Sequence, residues 1–149
     1  MKTTDQIETI LELTHQPQKV WQAITTPEGL NQWFGNRVTM SLEEGSPILF
    51  EWDEYGQVGG VIETVDPINK FAYRWRANGA PETADMNETN STLVTFELTP
   101  TPAGTRLRVL ETGFATLDPG LRERAFRENT GGWATELDEL VAFLSGQPV

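Results

Sequence analysis

Hydrophobic and polar positions alternate over residues 7–13, with Ile7, Thr9, Leu11 and Leu13 on one side and Glu8 and Glu12 on the other. A period of two predicts a half-buried strand. His15-Gln16-Pro17 breaks it, and Pro17 suits a first helical turn, with Val20, Trp21 and Ile24 as the apolar stripe. Thr25-Thr26-Pro27 ends that helix and starts another, in which Thr26 is the N-cap and Pro27 the first helical residue. Leu30, Trp33 and Phe34 form its apolar face, and Gly35 stops it. Strand patterns then recur over residues 37–42, 47–53, 57–66, 70–76, 91–99 and 105–111. Glu43-Glu44-Gly45, Glu54-Tyr55-Gly56, Asp66-Pro67 and residues 100–104 punctuate them. Such short connections predict antiparallel hairpins. Residues 78–90 are longer and polar and read as a mobile loop.

Residues 119–145 carry a helical period in Trp133, Leu137, Leu140, Val141 and Leu144. Asp118 is the expected cap, Pro119 lies just inside, and Gly146 and Pro148 end the helix. The expected fold is α+β, a curved antiparallel sheet of about seven strands over a long C-terminal helix, with two short helices after the first strand. No repeat or second domain is visible, so residues 1–149 read as one domain. Such a sheet covers one face with the helix and can leave a cavity between them. Gly131-Gly132 permits two readings: a helix break, or close approach of helix and sheet with a widened pocket beside Trp133.

The same alternation assigns an inner face. Ile48, Phe50 and Trp52 share a side of one strand, Phe71, Tyr73 and Trp75 of another, and Val94, Phe96 and Leu98 of the next, followed by Leu107 and Val109. The opposite positions include Glu51, Asp53, Arg74, Arg76, Glu97, Arg106 and Arg108, so one face is wet and one dry. Burial in the core is the ordinary fate of such apolar residues. Trp52, Tyr73, Trp75 and Trp133 are the better candidates for lining a cavity, because each carries a polar atom that needs a partner when buried.

Charge and composition narrow the function. Twenty-two acidic against 11 basic residues give a net charge of −11, which disfavours nucleic acid and anionic membrane surfaces. There is no Cys, so disulfides and thiolate chemistry are absent. The polar N-terminus and the lack of a long apolar run make the cytoplasm the default location. The single His15 lies in a turn, where a structural or solvated role is expected, and no His pair has zinc spacing. No Ser sits in a nucleophile elbow, and Gly59-Gly60 lies within a strand, where a bulge or bend is expected. No cofactor or metal is expected. Glu111 is in phase with Leu107 and Val109. The favoured reading is exposure at a fraying strand end; the alternative is an inward carboxylate that anchors a ligand or acts as an acid/base. Arg122, Glu123, Arg124, Arg127 and Glu128 read as a solvated helix face with local ion pairs.

The stretch Pro-Gln-Lys-Val-Trp-Gln-Ala-Ile-Thr-Thr-Pro-Glu-Gly-Leu-Asn-Gln-Trp-Phe over residues 17–34 resembles the opening of the heat-shock protein 90 ATPase activator homologue family, within the START-like (SRPBCC) superfamily. Gly59-Gly60-Val61-Ile62-Glu63, Tyr73-Arg74-Trp75, Leu110-Glu111-Thr112-Gly113-Phe114 and Gly131-Gly132-Trp133 resemble it in the same order, over about residues 5–145. The resemblance implies a helix-grip fold and, as in many superfamily members, a small hydrophobic ligand between sheet and helix. At 149 residues the chain has no room for the separate chaperone-binding domain of the eukaryotic activator, so a chaperone partner is the lesser expectation. The leading expectation is binding of a small apolar molecule, aromatic or lipid-like, through Trp52, Tyr73, Trp75, Phe96, Glu111 and Trp133, without catalysis. The rival expectations are a cyclase- or hydratase-like enzyme in the same cavity, with Glu111 and Tyr73 as titratable groups, and a protein-binding module.

Overall fold

A computed structural model describes residues 5–54 and 56–147. The chain runs β1 (Gln6–Leu13), α1 (Pro17–Thr25), α2 (Pro27–Trp33), β2 (Arg37–Met40), β3 (Pro47–Trp52), β4 (Gly56–Asp66), β5 (Lys70–Arg76), β6 (Ser91–Thr101), β7 (Gly104–Thr112), a single 3-10 turn (Phe114–Thr116) and α3 (Pro119–Ser145). The seven strands form one antiparallel sheet in the order β1-β7-β6-β5-β4-β3-β2. Strands β2 to β7 are a meander, as short turns require. β1 and β2 lie at opposite edges, so α1 and α2 carry the chain from one edge to the other. This is the expected helix-grip arrangement.

Local chemistry fixes the element ends. The Thr26 side chain accepts from the Gly29 N–H at 2.9 Å, and Pro27 occupies the first helical turn. Gly35 follows α2 with φ +84°, a conformation that favours glycine. Asp118 does stand at the start of α3, but its side chain makes no capping bond. Its carbonyl instead accepts from the Leu121 and Arg122 N–H groups. Gly146 follows the last helical residue; the expected Pro148 stop and Tyr55 in the β3–β4 turn lie outside the described residues.

The two glycine pairs behave differently from each other. α3 runs unbroken through Gly131 and Gly132, and both are exposed, with open space where a Cβ would stand. They are therefore neither a break nor a close approach to the sheet. Gly60 is the close approach: a Cβ there would fall 2.3 Å from the Arg74 carbonyl oxygen of β5. The ladder between β4 and β5 shifts register just beyond it, between Ile62 and Thr64. The connection between β5 and β6 is long, as expected, but its second half is tied down. Asn90 Oδ1 accepts from the Asn87 N–H at 2.8 Å, and Asn90 Nδ2 donates to the Asp85 carbonyl at 2.9 Å. On the other side of the loop, Asn78 Nδ2 donates to Glu128 Oε1 of α3 at 2.6 Å.

The inner face is the one the alternation assigns. Ile48, Phe50, Phe71, Tyr73, Trp75, Val94, Phe96, Leu98, Leu107 and Val109 are all buried and meet Trp133, Leu137, Leu140 and Leu144 of α3. On the outer face, Arg108 bridges Glu8 and Glu97 at 2.6 and 2.8 Å. His15 is buried in its turn; its ring Nε2 lies 3.2 Å from the Gln147 carbonyl, and its own carbonyl accepts from Thr105 Oγ1. It is structural, as one of its two expected roles had it.

Candidate functional site

Strand register brings the site together. Ile62, Tyr73, Val94 and Glu111 are successive cross-strand partners on β4, β5, β6 and β7. Directly opposed residues share a face, so Glu111 must follow Tyr73 inward. It is fully buried. The expected exposure at a frayed strand end is thus overturned: β7 continues to Thr112 and pairs there with both β1 and β6.

A buried carboxylate is costly unless it is hydrogen-bonded. Four side chains from three elements supply the bonds. Oε2 accepts from Trp75 Nε1 of β5 at 3.0 Å, from Thr92 Oγ1 of β6 at 2.5 Å and from Asn129 Nδ2 of α3 at 2.8 Å. Oε1 accepts from Trp133 Nε1 of α3 at 2.8 Å. Burial pushes the carboxyl above its ordinary value of 4.5, and the four bonds pull against that rise. None of the four partners carries a charge.

The aromatic side chains surround this carboxylate in one contiguous cluster. Phe34 lies near-parallel to Trp133 (5.5 Å between centroids, 12°) and to Trp75 (6.0 Å, 22°). Trp75 and Trp133 are themselves 6.0 Å apart. Phe34 also meets Phe50 and Trp52 edge-on. Tyr73 packs against Phe50, Trp75 and Phe96. Rings therefore stand where a cavity was expected. The two concavities described, of about 370 and about 450 Å³, lie elsewhere. One is on the outer sheet face around Lys70, Glu97 and Arg106, the other between α1, α2 and the end of α3 around Gln22, Gln32 and Phe143.

Two polar groups of the cluster stand out. The Tyr73 hydroxyl is buried and has no hydrogen-bond partner among the described residues. Burial pushes the phenol well above its ordinary value of 10.0, and the carboxylates of Glu111 and Glu136 push it further. Glu136, half-buried on α3, is hydrogen-bonded by Trp52, the least buried ring of the cluster. Its carboxyl is raised to about 7 by burial and by neighbouring Glu139, against the Trp52 bond. Trp52 and Glu136 form the rim of the site, beside Gly35, where a Cβ would touch the Trp52 ring at 3.3 Å.

All six candidates named from the sequence thus fall on one inner surface. Sequence reading missed Phe34, Thr92, Asn129 and Glu136 as members of the site. Asn129 and Glu136 stand four residues before and three after Trp133, which is the helical spacing that could have found them. Phe34 had been placed on the face of α2, where it is in fact the C-cap. Arg122 also departs from expectation: its Nε is buried and its NH2 group donates to the Leu117 carbonyl at 3.2 Å. The neighbouring pairs Arg124–Glu128 and Arg127–Glu123 are the local ion pairs expected.

The family described as "Activator of Hsp90 ATPase homolog 1-like protein" matches residues 14–145, nearly the whole chain. This chain belongs to that AHSA1 family. No curated protein sequence matches it. Protein MLL2253 of Mesorhizobium loti shares its fold at a TM-score of 0.80, with 25% identity over 97% of this chain and 99% of that one. The Aha1 dimer of Colwellia psychrerythraea gives a TM-score of 0.70, with 21% identity over 91% and 92%. DynU16, a protein in the dynemicin biosynthetic locus, gives a TM-score of 0.77 with 20% identity over 95% of this AHSA1 chain but 48% of its own. At these last two identities the likeness carries the fold alone. Among the described residues, no helix of this AHSA1 chain is long and apolar enough to cross a membrane.

Proposed function

We propose that residues 1–149 act as one ligand-binding domain for a small apolar, ring-bearing molecule held between the sheet and α3. Trp52, Tyr73, Trp75, Phe96 and Trp133 supply the contact surface and Phe34 yields its place. The observation that carries this reading is the Tyr73 hydroxyl, buried without a partner inside an aromatic wall. A buried unpaired hydroxyl costs about 1–3 kcal/mol. A ligand atom in hydrogen-bond range relieves that cost and fixes the ligand's orientation. Phe34 sits on the short α2–β2 connection, so displacing it disturbs one turn rather than the sheet.

An acid/base role for Glu111 fits less well. Both of its oxygens are occupied by donors, three of them N–H groups that cannot take a proton. Its role in this reading is to hold Trp75 and Trp133 in position.

The test is a two-dimensional amide NMR titration with flavonoid-like, sterol-like and fatty-acid ligands. The five indole N–H signals, from Trp21, Trp33, Trp52, Trp75 and Trp133, are the reporters. Saturable shifts at Trp52, Trp75 and Trp133 are the expected result. Absence of shifts across the panel contradicts the reading.

A further inference from the structure

Two carboxylates act on one unpaired hydroxyl in an interior that offers them no cation. Glu111 lies in register with Tyr73 on the inner face, two strands away on β7, and Glu136 stands on α3 one turn beyond Trp133. The charge of each raises the Tyr73 phenol, and Glu139 adds a third negative charge that raises Glu136. Every group that holds Glu111 is neutral, as is the Trp52 indole that holds Glu136. Among the described residues, no Lys or Arg is fully buried. The guanidinium of Arg122, on the same helix as Glu136, is turned to the Leu117 carbonyl. The whole chain carries a net charge of −11, so long-range attraction has the same sign as the local one.

The faces of Trp75 and Trp133, over which Phe34 stacks, complete the picture. An aromatic ring presents a negative face, which attracts a cation set over it. Aromatic walls with carboxylates behind them suit a protonated amine on an apolar body. They oppose an anion by the same sign of charge, and they offer a neutral molecule only contact area.

Resting on the binding reading above, we infer that the ligand of this interior is an organic cation, a ring-bearing amine whose ammonium group lies at the Tyr73 hydroxyl between Glu111 and Glu136. The ring body takes the place of Phe34 against Trp75 and Trp133. The ammonium donates to the Tyr73 oxygen and is neutralised by the two carboxylates. The Trp52–Glu136 pair at the rim is met first on entry.

Three probes of one shape and different charge test this: naphthylmethylammonium, naphthylmethanol and naphthoate. Each is titrated by calorimetry and by the indole NMR signals at about pH 8, above the value of about 7 of Glu136 and below the range in which the amine loses its proton. The cation is expected to bind about tenfold or more tighter than the alcohol, with naphthoate weakest. Glu136→Gln, at a half-exposed position, is expected to remove most of that preference, lowering the affinity for the ammonium far more than that for the alcohol. Tyr73→Phe should weaken the ammonium and the alcohol. Equal binding of ammonium and alcohol at the same indoles, or tighter binding of naphthoate, overturns the cation and leaves the binding site standing. A cation preference that survives intact in Glu136→Gln overturns the placement of the ammonium. No binding of any probe, in the native chain and in Phe34→Ala alike, overturns both readings.

Discussion

The Trp133 indole N–H of α3 donates to Glu111 Oε1 of β7 at 2.8 Å, so the long helix is fastened to the sheet through a fully buried carboxylate. The second oxygen ties in β5, β6 and another turn of α3. Glu111→Gln keeps the shape but replaces one acceptor oxygen with an amide donor in a site where the Trp75 and Trp133 indoles can only donate. Its expected cost is about 2–4 kcal/mol, and Trp133→Phe, which removes one donor, costs about 1–2 kcal/mol. Urea unfolding followed by tryptophan fluorescence measures both. A loss below about 0.5 kcal/mol for Glu111→Gln would show that the four bonds contribute little.

Phe34 fills the space between Trp75, Trp133 and Phe50. Phe34→Ala is expected to lower stability by about 3–5 kcal/mol and to leave an apolar void. Such a void takes up small aromatic molecules. Toluene or indole should therefore raise the melting temperature of Phe34→Ala by clearly more than that of the native chain, in which Phe34 must first be displaced. Collapse of the site without uptake of either probe would go against this.

Tyr73→Phe removes a hydroxyl that is buried and has no partner among the described residues. Stability should be unchanged or rise by about 1 kcal/mol in the empty protein. Ligand affinity should fall in the same variant. A marked loss of stability would mean that the hydroxyl is already bonded.

Glu136 gives a pH dependence with a defined sign. Its folded carboxyl is raised from 4.5 to about 7, so between those values the folded chain holds a proton that the unfolded chain has released. The stability this contributes is complete below 4.5 and is lost as pH rises through about 7. The melting temperature should fall over that window, and Glu136→Gln should flatten the fall. The Trp52 indole N–H, which bonds this carboxylate, should shift with a midpoint near 7 in the native chain. A Trp52 signal that titrates near 4.5 would contradict the raised value.

Gly131→Ala and Gly132→Ala bear on the helix alone. Both sites are exposed with open space around the missing Cβ, so each substitution should stabilise the chain by about 0.5–1 kcal/mol. Thermal unfolding reads the gain directly.

The β2–β7 meander and the long helix were legible because period-two alternation and turn residues are local signals, as at Phe71-Ala72-Tyr73-Arg74-Trp75 between Asp66-Pro67 and Asn78-Gly79, whereas the pairing of β1 with β7 was not. The inner face was legible for the same reason, and with it the inward setting of Trp52, Tyr73, Trp75 and Phe96, though not that of Glu111. The partners of Glu111 were not. Thr92 and Asn129 approach it across 19 and 18 positions of sequence, and only strand register and helix docking bring them there. Without those donors a buried Glu is the less expected outcome, which is why exposure was favoured. Ring packing was hidden too: alternation tells which rings face inward, not that Phe34 reaches in from the end of a seven-residue helix to fill the middle.

The central claim, an interior ligand site at Tyr73, is tested most directly by intermolecular nuclear Overhauser effects from bound naphthylmethylammonium. Contacts from the naphthyl protons to the indole rings of Trp52, Trp75 and Trp133, with the aminomethyl protons near the Tyr73 ring, are the predicted result. Contacts confined to Gln22, Gln32 and Phe143 in the concavity between α1, α2 and the end of α3, or none at saturating probe, would contradict it.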